Sequence, residues 1–280
     1  MLAVSTHFLL RKKEERTVKT YLALDSLIYK AQKVNWSLNT MLIQKPDMYR
    51  IGLILPSSNT TMEPEFNRIV STRATVHSAR IRLRQVTSSE LEAMERETEC
   101  AAVQLSDSNV DIICYGCTSG SLFRGLGHDK EIVRRIEKET QIPAVATAGA
   151  VVEALRTLGI EKVSVATPYT KEIEILEDRF LRDNDFEVVN IDSLGLARNL
   201  DIGLQEPHIA YALAKKVCTS ASDGVFISCT NFRTVEVIER LETELGKPII
   251  SSNTATAWKS LRLLGVTDSL PGYGKLLLSD

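Results

Sequence analysis

Asp111-Ile-Ile-Cys-Tyr-Gly-Cys117-Thr118-Ser119 is matched later in the chain by Asp223-Gly-Val-Phe-Ile-Ser-Cys229-Thr230-Asn231. Each stretch opens on an aspartate, runs through a short apolar segment and ends on a Cys-Thr pair. A short apolar run bounded by polar residues reads as a buried strand. The flanking sequence repeats as well. Ile142-Pro143-Ala-Val-Ala-Thr leads to Ala154-Leu155-Arg156-Thr-Leu158-Gly159-Ile160, and Lys247-Pro248-Ile-Ile-Ser-Ser leads to Ser260-Leu261-Arg262-Leu-Leu264-Gly265-Val266. With one residue of gap allowed, this is an internal duplication carrying one cysteine per half. If the halves face each other across a pseudo-two-fold axis, two thiols converge on one cleft. A thiol on each side of a small molecule suits proton transfer or addition at a carbon centre.

Working outward from these strands, the pattern from Tyr49 onward alternates strand and helix, as a parallel sheet requires. In the first half, strands are expected at Arg50 to Leu55, Thr75 to Arg84, Asp111 to Tyr115 and Ala144 to Thr147. One long helix is expected over Ser89 to Ser106, where Leu91, Met94, Ala101, Ala102 and Leu105 recur at helical spacing. The second half repeats the plan, with strands at Lys162 to Ala166, Phe186 to Ser193, Gly224 to Ser228 and Pro248 to Ser251. The fold class is therefore α/β: two flavodoxin-like parallel-sheet lobes related by pseudo-two-fold symmetry, with the active site in the cleft between them at the carboxyl ends of the strands. The expected division is a leader over 1–48, a first lobe over 49–160 carrying Cys117 and a second over 161–265 carrying Cys229. A carboxyl-terminal segment, 266–280, then packs back on the first lobe. The leader lacks the strand-then-helix rhythm and reads as a weakly ordered appendage or as a start assigned too early, with Met41 or Met48 as the true start.

Composition narrows the function. The chain has 280 residues, 44% apolar and 25% charged, with a net charge of −2. No basic face points to nucleic acid, and the longest apolar runs are too short to span a bilayer. Five cysteines without paired metal-ligand spacing fit a reduced, cytoplasmic setting. Cys114 and Cys117 form a C-x-x-C, but an odd separation on a strand points them to opposite faces, so Cys114 reads as buried filler. No P-loop occurs and no G-x-G-x-x-G follows a strand, so no nucleotide, metal or flavin is called for. A homo-oligomer is compatible with all of this.

Four loops directly follow strands: Pro56 to Thr61, Cys117 to Gly120, Thr167 to Thr170 and Cys229 to Thr234. All four are rich in hydroxyl, amide or thiol groups. Helix N-termini after several of them would offer backbone N–H groups to a carboxylate and lower a thiol's pKa. Cys117 and Cys229 read as functional, against the usual fate of a free cysteine as a small buried hydrophobe. Arg233 is expected to bring positive charge near Cys229, so the two thiols should titrate in distinct steps. Asn59 could contact ligand or merely cap the helix starting near Met62, and Tyr169 could contact ligand or simply pack after Pro168. The four histidines read as surface or strand residues. Arg80, Arg82 and Arg84 share one face of a strand and read as solvated or ion-paired.

Arg50-Ile-Gly-Leu-Ile-Leu-Pro-Ser-Ser-Asn59-Thr-Thr-Met-Glu63 resembles the opening of maleate cis-trans isomerases, and the two Cys-bearing strand ends fall where that family has its cysteine pair. The wider group is the aspartate/glutamate racemase superfamily, which includes arylmalonate decarboxylase and the ectoine-utilisation racemase-like proteins. The resemblance spans residues 49–280. It implies that Asn59 binds substrate carboxylate, that Tyr169 and Asn199 are further binding residues, and that Thr118, Ser119 and Thr230 line a pocket resembling the decarboxylase oxyanion pocket. Thr118-Ser119-Gly120, following Cys117, and Thr230-Asn231-Phe232, following Cys229, are more similar to the racemase-like branch. Decarboxylases keep only the second cysteine.

The resemblance thus implies a cofactor-independent enzyme acting on a small carboxylate or dicarboxylate. The leading expectation is maleate-to-fumarate isomerisation through a covalent Cys117 adduct, with Cys229 managing the proton. A racemase or epimerase of an amino or hydroxy acid would use the same pair as base and acid. A decarboxylase or another lyase, and a non-catalytic carboxylate-binding protein, stay open.

Overall fold

Both repeated aspartates do the same job. In the computed structural model, which describes residues 48–279, Asp111 accepts a hydrogen bond from the Arg50 N–H at 2.7 Å, and its own N–H donates to the Arg50 carbonyl. Asp223 does likewise with Lys162, at 2.7 Å for the carboxylate bond. Each aspartate therefore fixes the start of its strand against the strand that opens its half. The prolines correspond as well: Pro143 accepts from the Ile113 N–H and Pro248 from the Val225 N–H. The leader, except for Met48, lies outside the described residues.

The first half runs β1 (Tyr49–Pro56), α1 (Met62–Val70), β2 (Ala74–Ile81), α2 (Ser88–Glu95), α3 (Thr98–Ser106), β3 (Ile112–Tyr115), α4 (Thr118–Leu122), α5 (His128–Thr140), β4 (Ala144–Ala146) and α6 (Thr147–Thr157). The second runs β5 (Lys162–Thr167), α7 (Lys171–Asp183), β6 (Glu187–Ser193), α8 (Asn199–Gly203), α9 (Pro207–Val217), β7 (Gly224–Ile227), α10 (Ile238–Leu245), β8 (Ile249–Ser251) and α11 (Ser252–Leu263), then a 3₁₀ turn at Lys275–Leu278. Two four-stranded sheets result, ordered β2-β1-β3-β4 and β6-β5-β7-β8, parallel throughout. The order is the same in both, with the second set of strands replacing the first. This is the α/β architecture expected from the duplicated sequence.

Parallel strands covered on both faces need apolar side chains in both directions, and β3 and β7 are fully buried along their lengths. One continuous apolar cluster crosses the halves, joining Phe66 and Met62 of α1, Leu155 of α6 and Trp258 and Leu261 of α11. Helices α6 and α11 pack together along this seam, where Thr256 donates to Thr147 at 3.1 Å and Lys259 pairs with Glu153. At the carboxyl end, Tyr273 donates to the Arg68 carbonyl and Asp268 pairs with Arg73. Among the described residues no helix is long and apolar enough to cross a membrane.

Two expectations are corrected. The single helix over Ser89 to Ser106 is two, α2 and α3, broken at Arg96-Glu97. The break consists of exposed charged residues that are themselves good helix formers, and the buried positions on either side keep helical spacing, so periodicity reads straight through it. Thr87 caps α2, its hydroxyl accepting from the Glu90 N–H. His128, expected at the surface or on a strand, opens α5 as a buried residue, packed edge-on against Phe123 and beside Glu95.

Candidate active site

Cys117 leaves β3 in extended conformation and caps α4: its sulfur accepts from the Gly120 N–H at 3.3 Å and lies 3.6 Å from the Ser119 hydroxyl. Gly120 is required here. A Cβ at that position would fall 3.0 Å from Cys117 Sγ and 2.9 Å from the Tyr115 hydroxyl. Cys229 leaves β7 differently, at φ 87°, a left-handed conformation that a β-carbon disfavours. Its sulfur accepts from the Asn231 N–H at 3.3 Å, and the next helix, α10, begins only at Ile238. The duplication thus holds in the strands and diverges immediately after the thiols.

Both thiols are 4% exposed. Tyr169, 1% exposed at the end of the loop after β5, places its hydroxyl within hydrogen-bonding reach of Cys229 and feels the charge of both sulfurs. Charge on Cys117 also acts on Cys229. Burial pushes the Cys229 thiol up to about 12, partly offset by Tyr169 and the Asn231 N–H, and raised further by Cys117 and Glu177. Burial raises Cys117 as well, against the bonds from Ser119 and Gly120. The expectation that helix N-termini would lower both pKa values is overturned. Desolvation outweighs the caps, and α4, at five residues, contributes little dipole. Arg233 is not a counter-ion for Cys229: it turns outward to Glu206 and Glu236.

The carboxylate-binding candidates gather around this pair. Asn59 uses its two amide ends separately. Oδ1 accepts from the Thr61 and Met62 N–H groups, capping α1, while Nδ2 donates to the Thr230 hydroxyl at 3.0 Å. Thr230 in turn donates to the Gly116 carbonyl at 3.0 Å, so one hydroxyl ties the two Cys-bearing turns together. Thr118 donates to Ser252 at the start of α11, 2.8 Å away. Asn199, the first residue of α8, donates to the Ser58 hydroxyl at 2.9 Å and receives on its carbonyl the Asn231 amide at 2.7 Å. Asn59, Thr118, Ser119, Tyr169, Asn199 and Thr230 are all buried. The structure brings together residues from both halves that lie far apart in sequence.

Some members were not legible in advance. Asn231 is the hub of the cleft. Its Oδ1 accepts from the Thr60 N–H at 2.8 Å, and its carbonyl accepts the Thr61 hydroxyl at 2.9 Å. Its place after the repeated Cys-Thr was the available signal. Glu65, on α1, accepts from the Thr234 and Val235 N–H groups at 2.7 and 3.1 Å and from the Asn253 amide at 2.6 Å, stapling the halves together. Burial pushes its carboxyl up to about 7. Among the described residues no cluster of three or more His, Cys, Asp or Glu is arranged to hold a metal ion. A buried thiol pair with differing partners, set among amides and hydroxyls, can add to or exchange protons with a small carboxylate.

Comparison with known proteins agrees with this geometry. The model of the arylmalonate decarboxylase family matches residues 51–277. The maleate isomerase of Geobacillus stearothermophilus is 32% identical over 243 residues, 82% of this chain and 97% of its own length. The crystal structure of a maleate isomerase variant from Pseudomonas putida S16 with maleate superposes with a TM-score of 0.80 at 30% identity, covering 83% of this chain and 98% of that one. A Nocardia farcinica maleate cis-trans isomerase, a cysteine-to-serine mutant holding a covalently bound succinylcysteine intermediate, superposes with a TM-score of 0.81 at 28% identity, covering 83% and 99%.

Proposed function

This chain belongs to the arylmalonate decarboxylase family, and on that premise we propose that it is a cofactor-independent maleate cis-trans isomerase. The observation that carries the reading is the pair of buried thiols, Cys117 and Cys229, with Tyr169 set against the second and in the field of both. The Nocardia farcinica relative's succinylcysteine is the product of a thiol adding across a double bond, which is the step this pair is built to perform.

Maleate enters with its carboxylates directed to Asn59, Asn199, Thr118, Ser119 and Thr230. The Cys117 thiolate attacks one olefinic carbon. The electron pair of the double bond moves to the neighbouring carbon, which takes the proton of the Cys229 thiol. The former double bond is now single and rotates. Cys229, left as thiolate, removes the proton again, the C–S bond breaks with its electrons returning to Cys117, and fumarate leaves. Splitting the isomerisation into addition and elimination replaces one high barrier by two lower ones. The sulfur caps from the Gly120 and Asn231 N–H groups stabilise whichever sulfur carries charge.

Purified protein should convert maleate to fumarate, followed by chromatography, with Cys117→Ala losing at least about a thousandfold in rate. Cys229→Ser should accumulate protein heavier by one maleic acid. Unchanged maleate, together with solvent deuterium entering Cα of an amino or hydroxy acid, would replace this reading by the racemase one.

A further inference from the structure

Among the described residues, Glu177 is a buried acid with no cation paired to it. It projects from α7 among Ile173, Phe180 and Leu181, on the apolar face of that helix, and is fully buried. The Ser228 hydroxyl donates to one carboxylate oxygen, Oε1. The other, Oε2, faces the Thr167 hydroxyl, which favours the carboxylate but falls short of hydrogen-bond geometry. Lys171, one and a half turns back, is engaged by Glu174 and does not reach it. Burying a carboxyl in this condition is unfavourable, so its retention calls for a use.

Its place supplies one. Ser228 directly precedes Cys229, so the carboxyl lies one residue beneath the second thiol. Helix α4, which begins at Thr118, packs on α7, and Thr118 and Glu177 line the same small void with Phe180 and Phe226. Around the carboxyl stand Glu174 on its own helix, Thr167 and Tyr169 from β5 and its loop, Ser228 and Cys229 after β7, and Thr118 from α4. None of these is cationic.

Building on the isomerase reading, we propose that Glu177 is a positioning residue that keeps the proton on Cys229, making that thiol the acid of the pair and leaving Cys117 as the nucleophile. A negative charge beneath Cys229, held through Ser228, opposes a second negative charge on that sulfur. Among the described residues Cys117 has no such neighbour, and its partners are the Gly120 N–H and Ser119. Burial holds the Glu177 carboxyl at about 7, so its charge appears at or just above neutral pH, where the enzyme must distinguish its two sulfurs.

The test reads the thiols without substrate, so it stands or falls separately from maleate turnover. Alkylation by iodoacetamide across the pH range is resolved by peptide mass spectrometry for Cys117 and Cys229. In Glu177→Gln the amide oxygen still accepts from Ser228 while the charge is gone. The Cys229 midpoint should fall, with a roughly tenfold faster reaction at about pH 8.5, and the Cys117 curve should move far less. Glu177→Asp should restore the wild-type midpoint. If Glu177→Gln does not fold, Ser228→Ala removes the donor that favours the carboxylate and should shift Cys229 the same way by a smaller amount. Superimposable Cys229 curves, or equal shifts of both thiols, overturn the proposal. A merely loosened structure would speed both thiols at every pH and leave the midpoints in place.

Discussion

Asn59 shows how one side chain can serve stability and chemistry with opposite ends. Its oxygen caps α1 and its nitrogen reaches Thr230 across the cleft. Asn59→Asp keeps the capping oxygen and loses the donor, so the protein should unfold near the wild-type denaturant midpoint yet lose most of its kcat/KM. Asn59→Ala loses both, and its stability should drop by about 1 kcal/mol in urea titration. At this scale the sequence was partly readable. Cys117 and Cys229 stood out because a rare residue recurred at one place in a repeat, and Asn59 and Tyr169 because their loops follow strands. Asn231 and Glu65 gave weaker signs, since an amide in a turn and an acid in a helix have many ordinary uses. Glu177 did leave a mark, an acid at helical spacing from Ile173 and Phe180 on an apolar stripe. The thiol pKa values were misjudged because desolvation depends on what covers a residue, which local sequence does not carry.

Among the elements, α8 shows how a short piece can carry a binding residue. It is five residues long and is held against the first half by the Asn199–Ser58 bond and by the Asn199 N–H donating to the Arg84 carbonyl. Gly203 closes it, and a Cβ there would meet the Thr60 hydroxyl at 2.5 Å and Asn231 Oδ1 at 2.9 Å, on two residues already joined by the Thr60 N–H donating to Asn231. Gly203→Ala should push α8 outward and raise KM for the substrate about tenfold, while the urea midpoint moves little because few apolar contacts are lost. Steady-state kinetics and denaturation on one preparation check both halves of that statement. Element types were legible from periodicity almost throughout, because strands buried on both faces and amphipathic helices leave distinct patterns. What periodicity missed was the Arg96-Glu97 break and the five-residue helices α4 and α8. There, good helix formers or mixed polarity hide a change of direction.

Across the whole molecule, the duplication told most, since two halves with equivalent strand orders could be read from two short Cys-bearing segments. How the halves are fastened could not. Glu65 supplies much of that fastening, and its removal by Glu65→Ala strands the Thr234 and Val235 N–H groups, at a cost of about 3 kcal/mol in denaturant titration. Glu65 and Glu177 are both held near 7, above the ordinary carboxyl value of 4.5. A carboxyl whose pKa is raised on folding binds its proton more tightly in the native state. Its contribution is complete below about 4.5 and is lost as pH rises through about 7. The melting temperature should therefore fall between mildly acidic and mildly alkaline buffer, and Glu65→Gln should flatten that slope. The near-complete enclosure of both site thiols has a last consequence, in durability. Sulfur oxidation proceeds through exposed thiolate, and burial both covers Cys117 and Cys229 and disfavours their charged forms, whereas Cys100 lies open on α3. Dilute hydrogen peroxide should mark Cys100 first and leave turnover intact, so an exposed thiol on α3 takes the oxidative damage before the site pair does.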